Sequence, residues 1–262
     1  MKKSRFLQIA GLLLTIVGGA FFVAAQNGDC ADRDYECRIR YNRELIRNNP
    51  NDEEAYYNLG LALQKNQQYA EAVEAYTQYV AFNIKNKEYL SDGYRNRGNC
   101  KVQLGQLDAA IDDFNKSIRL YQNAGAYFGR GRAFMGQKNY DSCIADFTRS
   151  IDLEPENVEA NYNRAVCYYR SRQYEQAIED LDRYISVGNA SDEYLADGYE
   201  ERGLSYFYLG RTAPAIDDFT RAIELVPYRA SGYKYRAMAY RKIGKTSAAE
   251  ADEKKAAELD GQ

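Results

Sequence analysis

The chain has 262 residues, 25 of them Tyr, with no His, no Trp and a formal net charge of -3. Without His there is no Ser-His or Cys-His nucleophile pair and no imidazole metal site. The charge leaves no electrostatic footprint for nucleic acid.

Met1-Lys-Lys-Ser-Arg5 is followed by a mostly apolar run from Phe6 to Ala25, and Val23-Ala24-Ala25 precedes Gln26. A basic start, an apolar stretch and small residues at its end read as a secretory signal peptide over residues 1–25. The run is also long enough to span a bilayer as an uncleaved anchor. Either way the absence of basic residues just after it leaves the rest of the chain outside the cytoplasm, periplasmic or secreted. Asn27-Gly-Asp-Cys30 lacks the pattern of a lipidated cysteine. Cys30 and Cys37 would stand about 10 Å apart within one helix, too far for a disulfide. A bridge requires Cys30 in a loop that folds back; the alternative is two unpaired thiols or a bond to another chain.

Beyond residue 50 a two-helix unit recurs. Small residues stand at Gly60, Gly98, Gly131, Ala165, Gly203 and Ala237, spaced by 38, 33, 34, 38 and 34 residues. Twelve residues after each come Ala72, Ala110, Cys143, Ala177, Ala215 and Ala249, and sixteen after each come Tyr76, Phe114, Phe147, Leu181, Phe219 and Glu253. Pro155 closes one such unit, because proline lacks an amide proton and disfavours a helical residue before it. This pattern resembles the tetratricopeptide (TPR) repeat family over roughly residues 53–260. Where that family opens on Trp, this chain has Tyr56, Tyr94, Tyr127, Tyr199 and Tyr233, with Asn161 in the fourth unit.

The resemblance implies an all-α, right-handed α-solenoid of six helix-turn-helix units, near 53–86, 91–123, 124–157, 158–191, 196–229 and 230–262. Within the preceding stretch, 26–50, Asp34 to Asn48 reads as a lone second helix: Tyr35, Arg38, Asn42 and Leu45 hold the register of Tyr140, Cys143, Phe147 and Ser150. Such a half-repeat caps an array, since a terminal repeat has an open face. The last helix, Ser247 to Leu259, puts Glu253 in place of the aromatic and reads as the opposite cap.

Glu88-Tyr-Leu-Ser-Asp-Gly-Tyr94 returns as Glu193-Tyr-Leu-Ala-Asp-Gly-Tyr199, and Ala110-Ile-Asp-Asp-Phe114 as Ala215-Ile-Asp-Asp-Phe219, both at an offset of 105. This predicts a duplicated block of three repeats with two equivalent irregular joints. Arg97, Arg130, Arg164, Arg202 and Arg236 each precede a small position, and Asp113, Asp146, Asp180, Asp218 and Asp252 follow at a fixed distance. The first unit, with Leu59 and Ala75, lacks both, which predicts an ion pair within each unit. Cys100, Cys143 and Cys167 read as small buried apolar residues.

No Walker A loop or dinucleotide fingerprint is present, and no carboxylate pair is singled out for catalysis. Neither an enzyme nor a cofactor is expected. The resemblance places first helices along a concave groove that binds protein or peptide partners. Its facing positions here hold Tyr57, Arg95, Asn99, Phe128, Arg132, Tyr162, Tyr169, Arg170, Phe207, Lys234 and Arg241. Such an aromatic and cationic groove suits a peptide with apolar and acidic side chains. The family's carboxylate clamp could begin at Arg95 and Asn99, but Gly129 and Asn163 break it in the next units. The expected function is an exported, non-catalytic scaffold for protein-protein interaction, with no nucleic-acid partner and no membrane contact beyond the N-terminal segment. A cell-wall or carbohydrate-binding module, or a regulatory subunit of an envelope complex, is the alternative.

Overall fold

A computed structural model describes residues 30–261 apart from 32, 189 and 190; the proposed signal or anchor segment lies outside the described residues. The described residues form thirteen helices: α1 (Tyr35–Asn48), α2 (Glu53–Lys65), α3 (Tyr69–Ala81), α4 (Lys87–Gln103), α5 (Leu107–Leu120), α6 (Ala124–Gly136), α7 (Tyr140–Leu153), α8 (Val158–Arg170), α9 (Tyr174–Val187), α10 (Asp192–Tyr208), α11 (Thr212–Leu225), α12 (Ala230–Lys242) and α13 (Thr246–Asp260). Among these residues no helix is long and apolar enough to cross a membrane. Carboxylate or amide side chains cap several starts: Asp34 accepts from the Cys37 amide, Asp52 from Ala55 and Asn123 from Ala126.

α1 stands alone and the other twelve pair in sequence, each helix packing on the next. The turn inside every pair is the same. Gln67, Gly105, Lys138, Arg172, Gly210 and Gly244, each seven residues after a small position, adopt left-handed backbone with φ between 60° and 77°. Only glycine meets that conformation without a Cβ penalty, and three of the six places have it.

The core is a row of linked pockets. Tyr76, Phe114, Phe147, Leu181 and Phe219 are fully buried. Each ring lies against the small residue of its partner helix: a methyl on Gly203 would sit 2.6 Å from Phe219. Glu253 departs from the expected register. It is exposed and takes a two-pronged bond from Arg241 at 2.6 Å, so the last pair has no ring in that slot. At the other end Ile39 of α1 joins the core of α2 and α3 and covers it.

All five Arg–Asp pairs form, each guanidinium binding one carboxylate through Nε and Nη2 at 2.6–2.9 Å. The remaining Nη1 reaches back to the preceding unit: to Thr77, Asn115, Thr148, Asp182 and Thr220 in turn. Four of the guanidiniums also stand over the Tyr at the position where the family has Trp, 5.3–5.9 Å from its ring centre. Each arginine thus ties three helices.

Two cysteine readings are corrected or completed. Cys143 and Cys167 are buried as expected, yet joined in a disulfide between α7 and α8, with their Cα atoms 6.4 Å apart. Cys30 does lie ahead of α1 in a turn that folds back, and it is bonded to Cys37. Cys100 is free and buried, and burial pushes its thiol up to about 12.

Candidate peptide-binding groove

The first helices of the pairs (α2, α4, α6, α8, α10, α12) touch one another in succession, whereas the second helices do not. The layer of first helices is therefore the inner one, and side chains on its open face line the inside of the curve.

At its start, Tyr57 is half-buried, with its ring 4.9 Å from Tyr79 and its hydroxyl accepting from Asn96 Nδ2 at 3.1 Å. Arg95 pairs with Asp92 at 2.9 Å, and the Asn99 amide lies against Gly129. In the middle, Phe128 packs edge-on to Phe147 at 5.3 Å, so much of it belongs to the core. Arg132 is exposed, with no ion pair among the described residues. Further on, Tyr169 meets Tyr174 at 5.8 Å and Tyr208 at 5.9 Å, and Tyr174 and Tyr208 stack at 5.4 Å. Arg170 lies over Tyr169, Phe207 meets Tyr208 edge-on, and Lys242 Nζ sits 4.2 Å above Phe207. Tyr162 lies 5.0 Å from Tyr184. Lys234 and Arg241 are exposed but held by acids of α13, Asp260 and Glu253.

The predicted residues thus fall into two groups, with Phe128 and Arg132 of α6 between them. Tyr57, Arg95 and Asn99 belong to the first, and Tyr162, Tyr169, Arg170 and Phe207 to the second. Lys234 and Arg241 are turned to the final helix.

Sequence reasoning passed over the acids of the second group. Asp197, Glu200 and Glu201, with Tyr162, Leu204 and Tyr235, line a pocket of about 60 Å³ between α8, α10 and α12. Burial, then the charge of Glu201 and Asp197, raises the Tyr162 hydroxyl. Burial likewise raises the carboxyls of Glu200 and Glu201. The signal was available, since Glu200 stands three residues before Gly203, the position of Tyr57, Arg95, Phe128, Tyr162 and Lys234 in the other units. No three carboxylates or thiols among the described residues converge as metal ligands. A larger cleft, about 250 Å³, lies between α1, α2 and α3, lined by Arg43, Tyr56, Leu59, Glu71 and Glu74.

Family models described as tetratricopeptide repeat match residues 41–74, 95–142, 130–197 and 196–228. The chain belongs to the tetratricopeptide repeat family. Its TPR units are 24% identical to mouse sperm-associated antigen 1 over 127 residues, 48% of this chain but 14% of that protein. A TPR repeat-containing protein of Methanocaldococcus jannaschii is 23% identical over 207 residues, covering 75% of this chain and 35% of its own length. The chain therefore spans a small part of the curated relatives it matches. Among solved structures, a tetratricopeptide repeat protein from Parabacteroides merdae superposes with a TM-score of 0.62 at 21% identity, covering 86% of this chain and 87% of that one. YrrB, described as a TPR protein with an unusual peptide-binding site, gives 0.59 at 18%, covering 73% and 95%. MamA from Desulfovibrio magneticus gives 0.61 at 19%, covering 65% and 94%. At these identities the likeness is one of fold. TPR solenoids are scaffolds for protein-protein interaction, typically without catalysis, and that coarse description applies to this chain.

Proposed function

We propose that the chain is an exported, non-catalytic scaffold that holds a segment of a partner protein along its inner helical layer. The observation that carries this reading is the ring cluster of Tyr169, Tyr174 and Tyr208, with Tyr208 53% exposed although it stacks on its neighbour. Exposed aromatics beside cations are the residues that dominate binding energy at interfaces. Arg170 and Lys242 flank this cluster. Export is supported by the two disulfides, because such bonds persist in oxidising compartments.

Photo-crosslinking from position 169 in the source cells, followed by mass spectrometry, tests the groove. One dominant protein, lost when Arg132→Glu is added, is the expected result. Capture that ignores Arg132→Glu would overturn the groove, and retention on insoluble wall polymer instead would favour a wall-binding module. Alkylation in denaturant of the protein as taken from cells tests export: of its five cysteines, only Cys100 should be free before reduction. Five free thiols would overturn it.

A further inference from the structure

The duplicated blocks supply an internal control for the acidic pocket. At the offset of 105, Tyr57, Asp92, Arg95 and Asn96 correspond to Tyr162, Asp197, Glu200 and Glu201. Their ring contacts match: Tyr57 stands 4.9 Å from Tyr79 and Tyr162 stands 5.0 Å from Tyr184. Tyr79 and Tyr184 donate to the equivalent carbonyls of Tyr89 and Tyr194, at 3.2 and 3.3 Å. In the first block the place carries its own cation, since Arg95 pairs with Asp92, and Asn96 donates to the Tyr57 hydroxyl.

In the second block both of those places have become glutamate. Arg229 holds Asp197, and Ser231 donates to Glu200 at 2.7 Å. Glu201 has nothing comparable. Its Oε2 is fully buried and accepts no hydrogen bond. Arg170 offsets part of its charge from a distance, but no Lys or Arg nitrogen among the described residues reaches ion-pair distance of it. A buried acceptor left unpaired costs about 1–3 kcal/mol, more when charged, and native structures rarely leave one without a reason.

We propose that this pocket is a subsite for a cationic side chain, lysine or arginine, of the peptide held by the scaffold. The guest's ammonium or guanidinium donates to the Glu200 carboxylate and, once the Glu201 side chain turns its sealed Oε2 into the pocket, to Glu201 as well, with Tyr162 and Tyr235 beside it. Charge, acceptors and aromatic walls all favour an organic cation. The volume, about 60 Å³, matches roughly two waters and suits a charged head group rather than an aromatic ring. A metal ion is disfavoured because the acids do not converge as ligands. The inference rests on the scaffold reading, and it adds a basic residue to a ligand that the sequence alone painted as acidic.

The test uses the full chain in mild detergent, immobilised, against fluorescein-labelled dodecapeptide pools that differ only at the central residue. That residue is Lys, norleucine, Arg, citrulline or Glu. The Lys or Arg pool is expected to be retained about tenfold better than its neutral counterpart. Glu200→Gln with Glu201→Gln should abolish the preference, and Asp112→Asn, at an exposed acid of the second helix α5, should leave it intact. Glu201→Gln alone serves if the double variant melts early. Equal retention of cationic and neutral pools, preference for Glu, or a preference that survives in a folded Gln variant would overturn the subsite while leaving the groove. Retention of no pool at all would overturn both.

Discussion

From Ala81 to Lys87, and again from Val187 to Asp192, the chain crosses between repeats by a longer connection and enters a seventeen-residue helix. Both crossings put a tyrosine against a glycine of that helix, Tyr79 on Gly93 and Tyr184 on Gly198. Both bond that tyrosine's hydroxyl to the helix's first turn. Yet one presents an Arg–Asp pair with an unpaired guanidinium nitrogen, Arg95 Nε, and the other a set of acids with an unpaired carboxylate oxygen. Packing positions answer to volume, where one methylene is felt, so they stayed alike. Polar positions at the edge of the inner face answer only to what they meet, and there the blocks diverged.

The knobs give the largest expected effect. Phe114→Ala and Phe219→Ala should each cost about 3–5 kcal/mol, because both rings are fully buried. Urea unfolding of the two variants should give similar losses; a knob costing below about 1 kcal/mol would break the shared register. The arginines come next and should separate the blocks. Arg202→Ala strands Asp218, whose carboxyl burial already raises, whereas Arg97→Ala leaves Asp113 with Lys101 Nζ at 2.7 Å. The first should cost about 3–5 kcal/mol and the second distinctly less. In the same melts Arg164→Ala, which strands Asp180, should far exceed exposed Arg170→Ala, at about 0.5 kcal/mol or less. Equal shifts for that last pair would sink the ion-pair account.

Two smaller effects refine the comparison. A methyl at Gly93 would stand 2.5 Å from the Tyr79 ring and one at Gly198 3.0 Å from Tyr184. Gly93→Ala should therefore lose about 1–3 kcal/mol and Gly198→Ala less, read as melting temperatures; the reverse order would mean the crossings pack differently. Glu201→Gln should stabilise by about 1 kcal/mol at neutral pH. Burial raises this carboxyl above its ordinary value, so the folded state binds the proton more tightly. Stability is then lost as pH rises from the unfolded value through the folded one. The gain from Gln should accordingly vanish near pH 4; a gain of equal size at both pH values would point to packing instead.

The repeat register, the Arg–Asp ladder and the two crossings were legible in the sequence because each depends on fixed spacing along a helix. The disulfide was not. Cys143 and Cys167 occupy the +12 place of one unit and the +2 place of the next, and burial of each says nothing of their facing one another. The signal lies across units: Ala110 with Ala133 and Ala215 with Ala239 fill the same two places and share a core cluster. Small residues meet at that seam, and here both are Cys. The Glu201 oxygen was illegible for a related reason, since whether an acid finds a partner depends on the neighbouring helices, not on its own.

The bridge between Cys143 and Cys167 has a mechanical meaning. A solenoid comes apart unit by unit, each holding only its neighbours, and this bond closes a stretch with a sequence separation of 24 at the middle of the array. Peeling from either end can strip two whole units and then meets one that holds a bridged cysteine. Stretched between its termini, the chain should be held short by roughly 80 Å by this bridge alone, at about 3.4 Å for each residue withheld. Tension on a partner would thus be borne by a molecule with a fixed waist and two halves that yield separately.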